Sequence, residues 1–506
     1  MPVILQALVG LLYLVSLVGL FLYGVNAYVM LAVHWWHRRR AEAAEPPPAP
    51  EVWPAVTVQL PLYNERYVAR RLLEAVGRLD YPADRLEIQV LDDSTDETSA
   101  IVAESAGRLR ARGLSVAHLR RAVRTGFKGG ALAAGCAAAR GEFLAVFDAD
   151  FVPPRDFLRR TIPFFADPAV AVVQTRWGHL NRDYSLLTVA QALGIDGHFG
   201  VEQSARCWGS LFLNFNGTAG VWRKAAILDA GGWAHDTLTE DLDLSYRAQL
   251  RGWRILYRPD LTCPAELPVL ITGFKSQQRR WAKGSIQTAL KLLPAVLGAP
   301  LPAWTKYQAF IHLTYYMIHP LMLTGVLLSA PLLALRDLTP PPSVLLGLSL
   351  VFGLAVFGPG CMLGYAQRVL DPGCRRLWQL PTIMVIGVGV AWSTSLAVLG
   401  GFRGKTWEFI RTPKFGIGPG GGCWRGKVYG GGRPWGGLAE IGLGLYCAAT
   451  AASFWQDGHY GALPLLGLYA AGFLTVGALT IFQAMVGSRV PDVAAEGTRI
   501  SAGQAT

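Results

Sequence analysis

The sequence predicts an α/β domain inserted between α-helical membrane segments. Its 506 residues are 52% hydrophobic and only 16% charged, which is too apolar for an ordinary soluble protein of this length. Between about residues 50 and 285, short β-rich runs alternate with stretches of helical spacing, and long uncharged runs lie on both sides of this block. The alternation favours a parallel sheet, and the uncharged runs favour membrane helices.

Residues 1–37 are predicted to form an N-terminal transmembrane anchor. No acidic or basic side chain occurs from Met1 to Val33, a run long enough to cross a bilayer core. A secretory signal peptide would carry positive charges before the apolar run and a small-residue cleavage site after it, and neither is present. Arginines 38, 39 and 40 directly follow the run, so the positive-inside rule places the next residues in the cytoplasm.

The formal net charge of +12 narrows the expected partners. The sequence shows no recognised nucleic-acid-binding module, and its basic residues flank the apolar segments. We therefore expect the lipid bilayer, with its anionic headgroups, to be the binding partner, and we expect no binding to nucleic acid. The seven cysteines form no Cys-x-x-Cys pair, so neither a zinc site nor a disulfide framework is indicated.

The block at 38–285 opens with a proline-rich linker and then shows a strand, a helix and a second strand. The first strand begins at Val56, the helix spans about 72–79, and the second strand, 88–91, runs into Asp92 and Asp93. This spacing indicates parallel strands with a right-handed crossover. In such sheets the ligand site lies beyond the carboxyl ends of the strands, where these carboxylates fall.

A third predicted strand, 143–147, runs into Asp148 and Asp150. Two carboxylates one residue apart can share a hard divalent cation, Mg²⁺ or Mn²⁺, whose shell is completed by diphosphate oxygens. The alternative is a solvated turn, but the strand enters from a buried apolar run. Upstream, Lys128 lies among glycines ahead of an alanine-rich helix, an arrangement that favours either an anion site or a flexible turn.

The stretch 213–223 carries polar residues and glycines inside an aromatic run. Asn216 and Trp222 could bind a hydroxyl-rich acceptor, or they could cap a strand and fill a core. Two further runs hold charged groups suited to catalysis. In Thr239-Glu240-Asp241, one carboxylate raises the pKa of its neighbour, as a proton-accepting base near neutral pH requires, although such a pair also serves as a helix N-cap.

The second run, 277–281, supplies Arg280 for phosphate oxygens and Trp281 as a flat apolar face for a sugar ring. Alone, it is also compatible with a surface helix. The order of all these motifs resembles that of inverting family 2 glycosyltransferases. It is most similar to plant cellulose synthase-like mannan and xyloglucan-backbone synthases and their bacterial relatives. The motifs are Gln59–Glu65, Leu91–Asp96, Phe147–Phe151, Phe215–Arg223, Thr239–Asp241 and Gln277–Trp281.

The resemblance implies that 38–285 is a cytoplasmic GT-A nucleotide-sugar-binding domain. It implies a catalytic pair of Asp241, the general base, and Glu240. The implied nucleotide-sugar contacts are Asp92, Lys128, Asp148, Gln277 and Arg280, the metal ligands are Asp148 and Asp150, and the acceptor contacts are Asn216, Gly217 and Trp281. The sequence departs from the family at position 129, where glycine replaces the usual alanine.

The chain after the domain is predicted to alternate between the bilayer surface and its core. We expect an interfacial amphipathic helix at 286–309, transmembrane helix pairs at 310–367 and 438–488, and a disordered tail at 489–506. The apolar run from Leu377 precedes a loop, 403–433, with seven basic residues and one acidic residue. The positive-inside rule predicts that this loop lies in the cytoplasm. We therefore expect 368–437 to contain an interfacial or re-entrant helix that does not cross the membrane, so the chain crosses it five times.

Within this loop, Phe409, Thr412 and Lys414 resemble the gating loop of bacterial cellulose synthase, with arginine at 411 in place of its valine. That resemblance implies a mobile lid that reaches the donor diphosphate, and the alternative is a basic loop on headgroups. The expected protein is a hexosyltransferase of the plasma (inner) membrane that moves hexose from UDP-glucose or GDP-mannose to a growing β-linked glycan. The alternatives are a non-processive transferase acting on a membrane lipid and a polysaccharide-binding or export scaffold without catalysis, which the intact Asp241 and Arg280 disfavour.

Overall fold

A computed structural model describes residues 3–42, 45–333, 357–371, 373, 376–404, 412–427 and 434–487. The predicted tail at 489–506, part of the predicted helix pair at 310–367 and Phe409 of the gating-like loop lie outside these residues. The described chain forms a mixed α/β domain with helices before and after it.

The domain is built on one seven-stranded sheet with the strand order β3-β2-β1-β4-β6-β5-β7. Strands β1, β2, β3 and β4 are mutually parallel where they pair, and β5 is parallel to β7. Strand β6 is antiparallel to both of its neighbours. The strands are β1 (Val56–Leu62), β2 (Leu86–Asp92), β3 (Ser115–Arg120), β4 (Phe143–Val146), β5 (Val170–His179), β6 (Gly220–Arg223) and β7 (Arg254–Ala265).

Helices cover both faces of the sheet, which explains why the central strands are buried throughout rather than on alternate residues. One core fills the side that contains Phe147 and Phe157, and a second core on the other side contains Trp222. The helices of the domain are α2 (Ala69–Val76), α3 (Thr98–Ala111), α4 (Phe127–Ala138), α5 (Phe157–Thr161), α6 (Leu186–Gly197), α7 (Gln203–Trp208), α8 (Lys224–Asp229) and α9 (Glu240–Leu250).

The direction of β6 brings a loop to the edge of the sheet where parallel strands end. Strand β4 ends at Val146, which is opposite Gly220, the first residue of β6. Because β6 runs antiparallel, the residues before Gly220 meet the residues after Val146. The sheet therefore gathers the ends of β1, β2, β4 and β7 and the beginning of β6 at one edge, as the carboxyl-end rule predicts.

The flanking helices are long and apolar. They are α1 (Val3–Glu42), α10 (Ile271–Gly298), α11 (Ala303–Thr314), α12 (Ile318–Leu333), α13 (357–370), α14 (Leu380–Gly389), α15 (Ala391–Phe402), α16 (Leu438–Gln456) and α17 (Leu463–Gly487). Within the described residues, four helical stretches are long and apolar enough to span a bilayer: Ile4–Ala41, Ala303–Leu332, Trp435–Gln456 and Tyr460–Val486. Such helices are those of a membrane protein.

Two features of this region refine the sequence-based boundaries. The segment predicted as one interfacial helix, 286–309, is divided between the end of α10 and the start of α11, with a break at 299–302. Helices α14 and α15 meet at a bend of 48°, so 377–402 is either a broken span or a re-entrant hairpin. The polar side chains Ser393, Thr394 and Ser395 in α15 are buried.

Close approaches at glycines fix how these helices pack. A Cβ at Gly401 of α15 would lie 2.9 Å from Cβ of Ile286, so α15 lies directly against α10. A Cβ at Gly389 of α14 would lie 2.3 Å from the carbonyl oxygen of Gly472 in α17. Small residues at helix crossings allow such backbone contact in membranes. Helix α10, which carries part of the predicted site, is thereby packed against the bent helix pair.

The five-crossing topology predicts which side of the membrane exposes Cys423. This native cysteine is exposed in the loop after α15, whereas Thr412 is buried. We expect a membrane-impermeant thiol reagent to leave Cys423 unlabelled in intact cells and to label it after permeabilisation, because this topology places the basic loop in the cytoplasm.

Two variants calibrate that measurement. Cys423→Ser identifies the labelled thiol, and His459→Cys, at an exposed position in the turn between α16 and α17, should react from outside. Labelling of Cys423 in intact cells would contradict the five-crossing topology.

Candidate active site

The predicted site residues converge on one cavity of about 160 Å³ at the edge of the sheet described above. Every predicted site residue that the structure describes, with the exception of Asp92, lines it. These residues are Lys128, Asp148, Asp150, Asn216, Gly217, Glu240, Asp241, Gln277, Arg280, Trp281, Thr412 and Lys414. They come from α4, the ends of β4 and the beginning of β6, α9, α10 and the loop after α15. The cavity is therefore lined by residues of both the α/β domain and the membrane region.

Lys128 connects three of these segments. Its Nζ lies 2.6 Å from Asp148 Oδ1 and 3.8 Å from Glu240 Oε1, and it donates a hydrogen bond of 2.9 Å to the Gly217 carbonyl. Burial opposes the charged form, but Asp148 and Glu240 together raise the pKa of Lys128 above its ordinary value. The ammonium group thus remains charged and neutralises carboxylates that would otherwise repel one another.

Asp241 has the electrostatics of a general base. Burial, followed by the nearby charge of Glu240, raises the pKa of Asp241 to about 7, although Lys128 acts in the opposite direction. Its Oδ1 accepts a hydrogen bond of 2.9 Å from the Leu242 backbone N–H. The carboxylate pair in the sequence predicts the direction of this shift, whereas the larger cause, burial, depends on the fold.

Gly217 is required where it stands. Its φ of +80° lies in the left-handed region that favours glycine. A Cβ at this position would also lie 3.0 Å from Asp241 Oδ2 and 3.3 Å from Lys128 Nζ. The segment 214–217 therefore lies directly beside Asp241 and Lys128, and Asn216 forms part of the same wall of the cavity.

Asp148 and Asp150 offer the donor set predicted for a divalent cation. Among the described residues, no three His, Cys, Asp or Glu side chains converge into a closed metal site. Two carboxylates suffice when diphosphate oxygens and water complete the shell, which is the usual arrangement for Mg²⁺. The pair therefore fits a cation held jointly with a diphosphate, and Lys128 and Lys414 pair with Asp148 and Asp150 at 2.6 and 2.7 Å.

Helix α10 presents Gln277, Arg280 and Trp281 to the cavity, since residues three and four apart share a helix face. One turn later, Gly284 permits close contact with the start of α9. A Cβ at Gly284 would lie 2.6 Å from Thr239 Cγ2 and 2.9 Å from the Thr239 backbone nitrogen. The missing side chain at position 284 brings the run at 277–281 beside the run at 239–241.

The nucleotide contact predicted for Asp92 does not fit its geometry. The Asp92 side chain is buried, accepts a hydrogen bond of 2.9 Å from the Ser94 backbone N–H and lies 2.8 Å from His118 Nε2. Its neighbour Asp93 lines the cavity and pairs with Arg121. Side chains alternate along a strand, so the second carboxylate of the pair faces the site. Trp222, the other open interpretation, is fully buried core.

Glu266 is a functional candidate that sequence reasoning missed. This buried carboxylate follows β7 and accepts hydrogen bonds from the backbone N–H groups of Phe415 and Ile417 at 2.6 and 3.0 Å. It also pairs with Arg71 at 2.9 Å. Glu266 thereby holds the loop segment that carries Thr412 and Lys414 against the cavity. A carboxylate directly after a strand was the available signal.

The gating-like loop is represented in the structure by Thr412 and Lys414. Both side chains are buried and line the cavity. Lys414 Nζ lies 2.7 Å from Asp150 Oδ2 and donates a hydrogen bond of 2.5 Å to the Glu266 carbonyl. The loop thus contacts the candidate metal site directly, and its movement as a lid remains a prediction.

Comparisons with known proteins find relatives of the α/β domain. The family model described as "Glycosyltransferase like family 2" matches residues 54–284. The chain is 44% identical over 250 residues to glucomannan 4-beta-mannosyltransferase 2 of Arabidopsis thaliana, covering 48% of this chain and 47% of that protein. It is 41% identical over 269 residues to glucomannan 4-beta-mannosyltransferase 1 of Oryza sativa subsp. japonica, covering 52% and 51%.

These matches define the class of the domain. Residues 54–284 form a family 2 glycosyltransferase domain, and the predicted GT-A type of sheet flanked by apolar helices is confirmed. The chain spans about half the length of the curated relatives it matches. Among solved structures, mannosyltransferase PcManGT from Pyrobaculum calidifontis in complex with GDP-Man and Mn²⁺ aligns over 77% of this chain and 99% of its own, with 22% identity and a TM-score of 0.49.

The raised pKa of Asp241 predicts how sugar transfer depends on pH. Only the ionised carboxylate accepts a proton, so we expect the rate to fall as the pH drops through about 7, by roughly tenfold per unit. Replacing Glu240 by glutamine removes a negative charge that raises this pKa. The acidic limb of the pH–rate profile, where activity falls with decreasing pH, should therefore lie at lower pH in the Glu240→Gln variant.

Asp84→Asn, at an exposed carboxylate far from the cavity, is the matched control and should leave the limb in place. A wild-type limb near pH 4, or one that Glu240→Gln moves to higher pH, would remove Asp241 from the role of base.

Proposed function

We propose that this protein is a membrane-embedded inverting hexosyltransferase that transfers mannose from GDP-mannose to a growing β-linked glycan. The single observation that carries the proposal is the convergence of Asp241, Lys128, Asp148 and Arg280 on one cavity of a family 2 glycosyltransferase domain. The names of the relatives, glucomannan 4-beta-mannosyltransferases at 41% and 44% identity, support mannose over glucose.

In the proposed reaction an acceptor hydroxyl oxygen attacks the anomeric carbon of the donor sugar. The new C–O bond forms on the face opposite the diphosphate, whose own C–O bond breaks, so an α-linked donor gives a β-linked product. Asp241 takes the hydroxyl proton, which its raised pKa allows near neutral pH. Trp281 supplies the apolar face on which the acceptor ring packs, and its place beside the base sets the attacking hydroxyl within reach.

The leaving diphosphate is the second group to be stabilised. Arg280 and Gln277 donate hydrogen bonds towards it from α10, and Lys128 adds a buried positive charge. Asp148 and Asp150 would hold a Mg²⁺ or Mn²⁺ ion, which when bound neutralises the charge that develops on the diphosphate. The nucleoside diphosphate leaves as an anion, so its departure needs no proton donor.

The loop at 412–417 restricts entry to this site. A cavity of about 160 Å³ is smaller than the 300–1,000 Å³ that is typical of small-molecule sites. Because Lys414 occupies one wall and pairs with Asp150, donor entry requires the loop to withdraw. Lys414 then becomes available to the incoming diphosphate, which is the role proposed for it together with Thr412 and Phe409.

The membrane helices support synthesis coupled to secretion of the polymer. The cavity lies where the domain meets α10, and α10 packs on the bent pair α14 and α15. A catalytic domain on the cytoplasmic face of the plasma (inner) membrane would draw its donor from the cytoplasm, in agreement with the placement of the basic residues. The growing glycan would then leave on the other side.

The test is to supply the purified, detergent-solubilised full chain with labelled GDP-mannose or UDP-glucose and to size the product. We expect a β-linked polymer from GDP-mannose that a β-mannanase degrades, with little product from UDP-glucose alone. In the same assay Asp241→Asn should lower transfer by about 100-fold or more while donor affinity stays nearly constant, because a lost base removes help only in the transition state.

Chelation of divalent cations should also abolish polymer formation, and added Mg²⁺ or Mn²⁺ should restore it. A labelled product that is a lipid-soluble monoglycoside would overturn the processive synthase, and polymer made only from UDP-glucose would overturn the donor assignment.

A further inference from the structure

The helix that leads from β5 towards the membrane contains a local irregularity next to the cavity. Helices α6 and α7 are joined by a single turn of π-helix at His198–Glu202. A π turn inserts one residue into an α-helix and occurs frequently at functional sites. The side chains at its two ends, His198 and Glu202, are hydrogen-bonded to each other at 3.0 Å between Nδ1 and Oε2.

His198 also contacts the acceptor wall of the cavity. Its Nε2 lies 3.0 Å from Oδ1 of Asn216. Asn216 Oδ1 also accepts a hydrogen bond of 3.1 Å from Asn214 Nδ2, and Asn216 Nδ2 donates one of 3.3 Å to the Asn214 carbonyl. These contacts orient the amide with its oxygen towards Nε2 of His198, which therefore donates the hydrogen bond between them.

Glu202, the partner of His198 in the π turn, is also held in place by a neighbouring side chain. Glu202 Oε1 accepts a hydrogen bond of 2.9 Å from Nε of Arg206, a fully buried arginine. From the next turn, Gln203 donates a hydrogen bond of 3.0 Å to the Asn214 carbonyl. His198 in the π turn and Gln203 directly after it therefore hold the segment 214–216 at two points, immediately before Gly217 contacts Lys128 and Asp241.

We propose that His198 is a positioning residue for the acceptor: paired with Glu202, it sets the amide of Asn216 so that an N–H of Nδ2 meets a hydroxyl of the acceptor sugar. Without the hydrogen bond from His198, only the longer contacts with Asn214 hold the amide, which can then rotate and present its oxygen instead. His198 does not line the cavity itself, and its effect passes through Asn216. This inference rests on the proposed function.

Two substitutions separate the contacts of His198. The amide nitrogen of a glutamine falls near the place of Nε2, so His198→Gln keeps a donor to Asn216. The shorter asparagine places its nitrogen near Nδ1, so His198→Asn keeps the contact with Glu202 and loses the one with Asn216. A purely structural role of the π turn predicts that the asparagine variant, which retains the link within the helix, is the milder of the two.

The measurement is the partition of labelled GDP-mannose between polymer and free mannose, which forms when water replaces a misplaced acceptor. UDP-glucose replaces GDP-mannose if the wild type prefers it. We expect His198→Gln to keep the wild-type partition and His198→Asn to raise the ratio of free sugar to polymer by about tenfold, the effect of one lost hydrogen bond. The donor KM should be unchanged in both variants.

A second measurement does not depend on His198→Asn alone. In the background of Asn216→Ala, replacing His198 by asparagine should cause no further change in the partition, because the residue through which it acts is gone. Equal partition in His198→Gln and His198→Asn, or a further change in the Asn216→Ala background, would overturn the inference. A wild-type protein that makes no polymer from either donor would instead contradict the proposed function.

Discussion

The buried ammonium group of Lys128 is the contact on which the rest of the site depends. Three carboxylates, Asp148, Glu240 and Asp241, lie close to this ammonium group, and like charges in such a place repel strongly. Lys128 pairs with Asp148 and Glu240 and binds the carbonyl of Gly217, so it holds the strand end, the helix start and the acceptor segment at fixed separations. It also leaves Asp241 as the carboxylate with the raised pKa.

From this centre, polar contacts extend without a break to the first membrane helix. Asn216 is held by His198, and His198 by Glu202. Glu202 pairs with Arg206, which donates a hydrogen bond of 3.4 Å to the backbone carbonyl of Gln308 in α11. Gln308 Nε2 donates a hydrogen bond of 2.8 Å to Asn26 of α1. The segment that contains Asn216 is thereby connected to the membrane helices.

Much of the site was predictable because parallel strands end at one edge of a sheet, which placed Asp148 and Asp150 together with the carboxylates after β2. The sequence could not decide between Asp92 and Asp93, since the outcome depends on His118 of the neighbouring strand. Lys414 and Asp150 are 264 residues apart, so no local pattern predicts their pairing. The role of Glu266 was missed because its partners are backbone groups of that distant loop.

The most direct test of the Lys128 contact is a double-mutant cycle on the thermal unfolding midpoint of the solubilised, ligand-free protein. Lys128→Met leaves the three carboxylates without their counter-ion, and Asp148→Asn leaves the ammonium group with one partner fewer. Because each single change leaves an uncompensated charge that the double change relieves, we expect the double variant to unfold at a higher temperature than additive effects predict. Additive shifts would show that Lys128 and Asp148 are not coupled and would contradict this account.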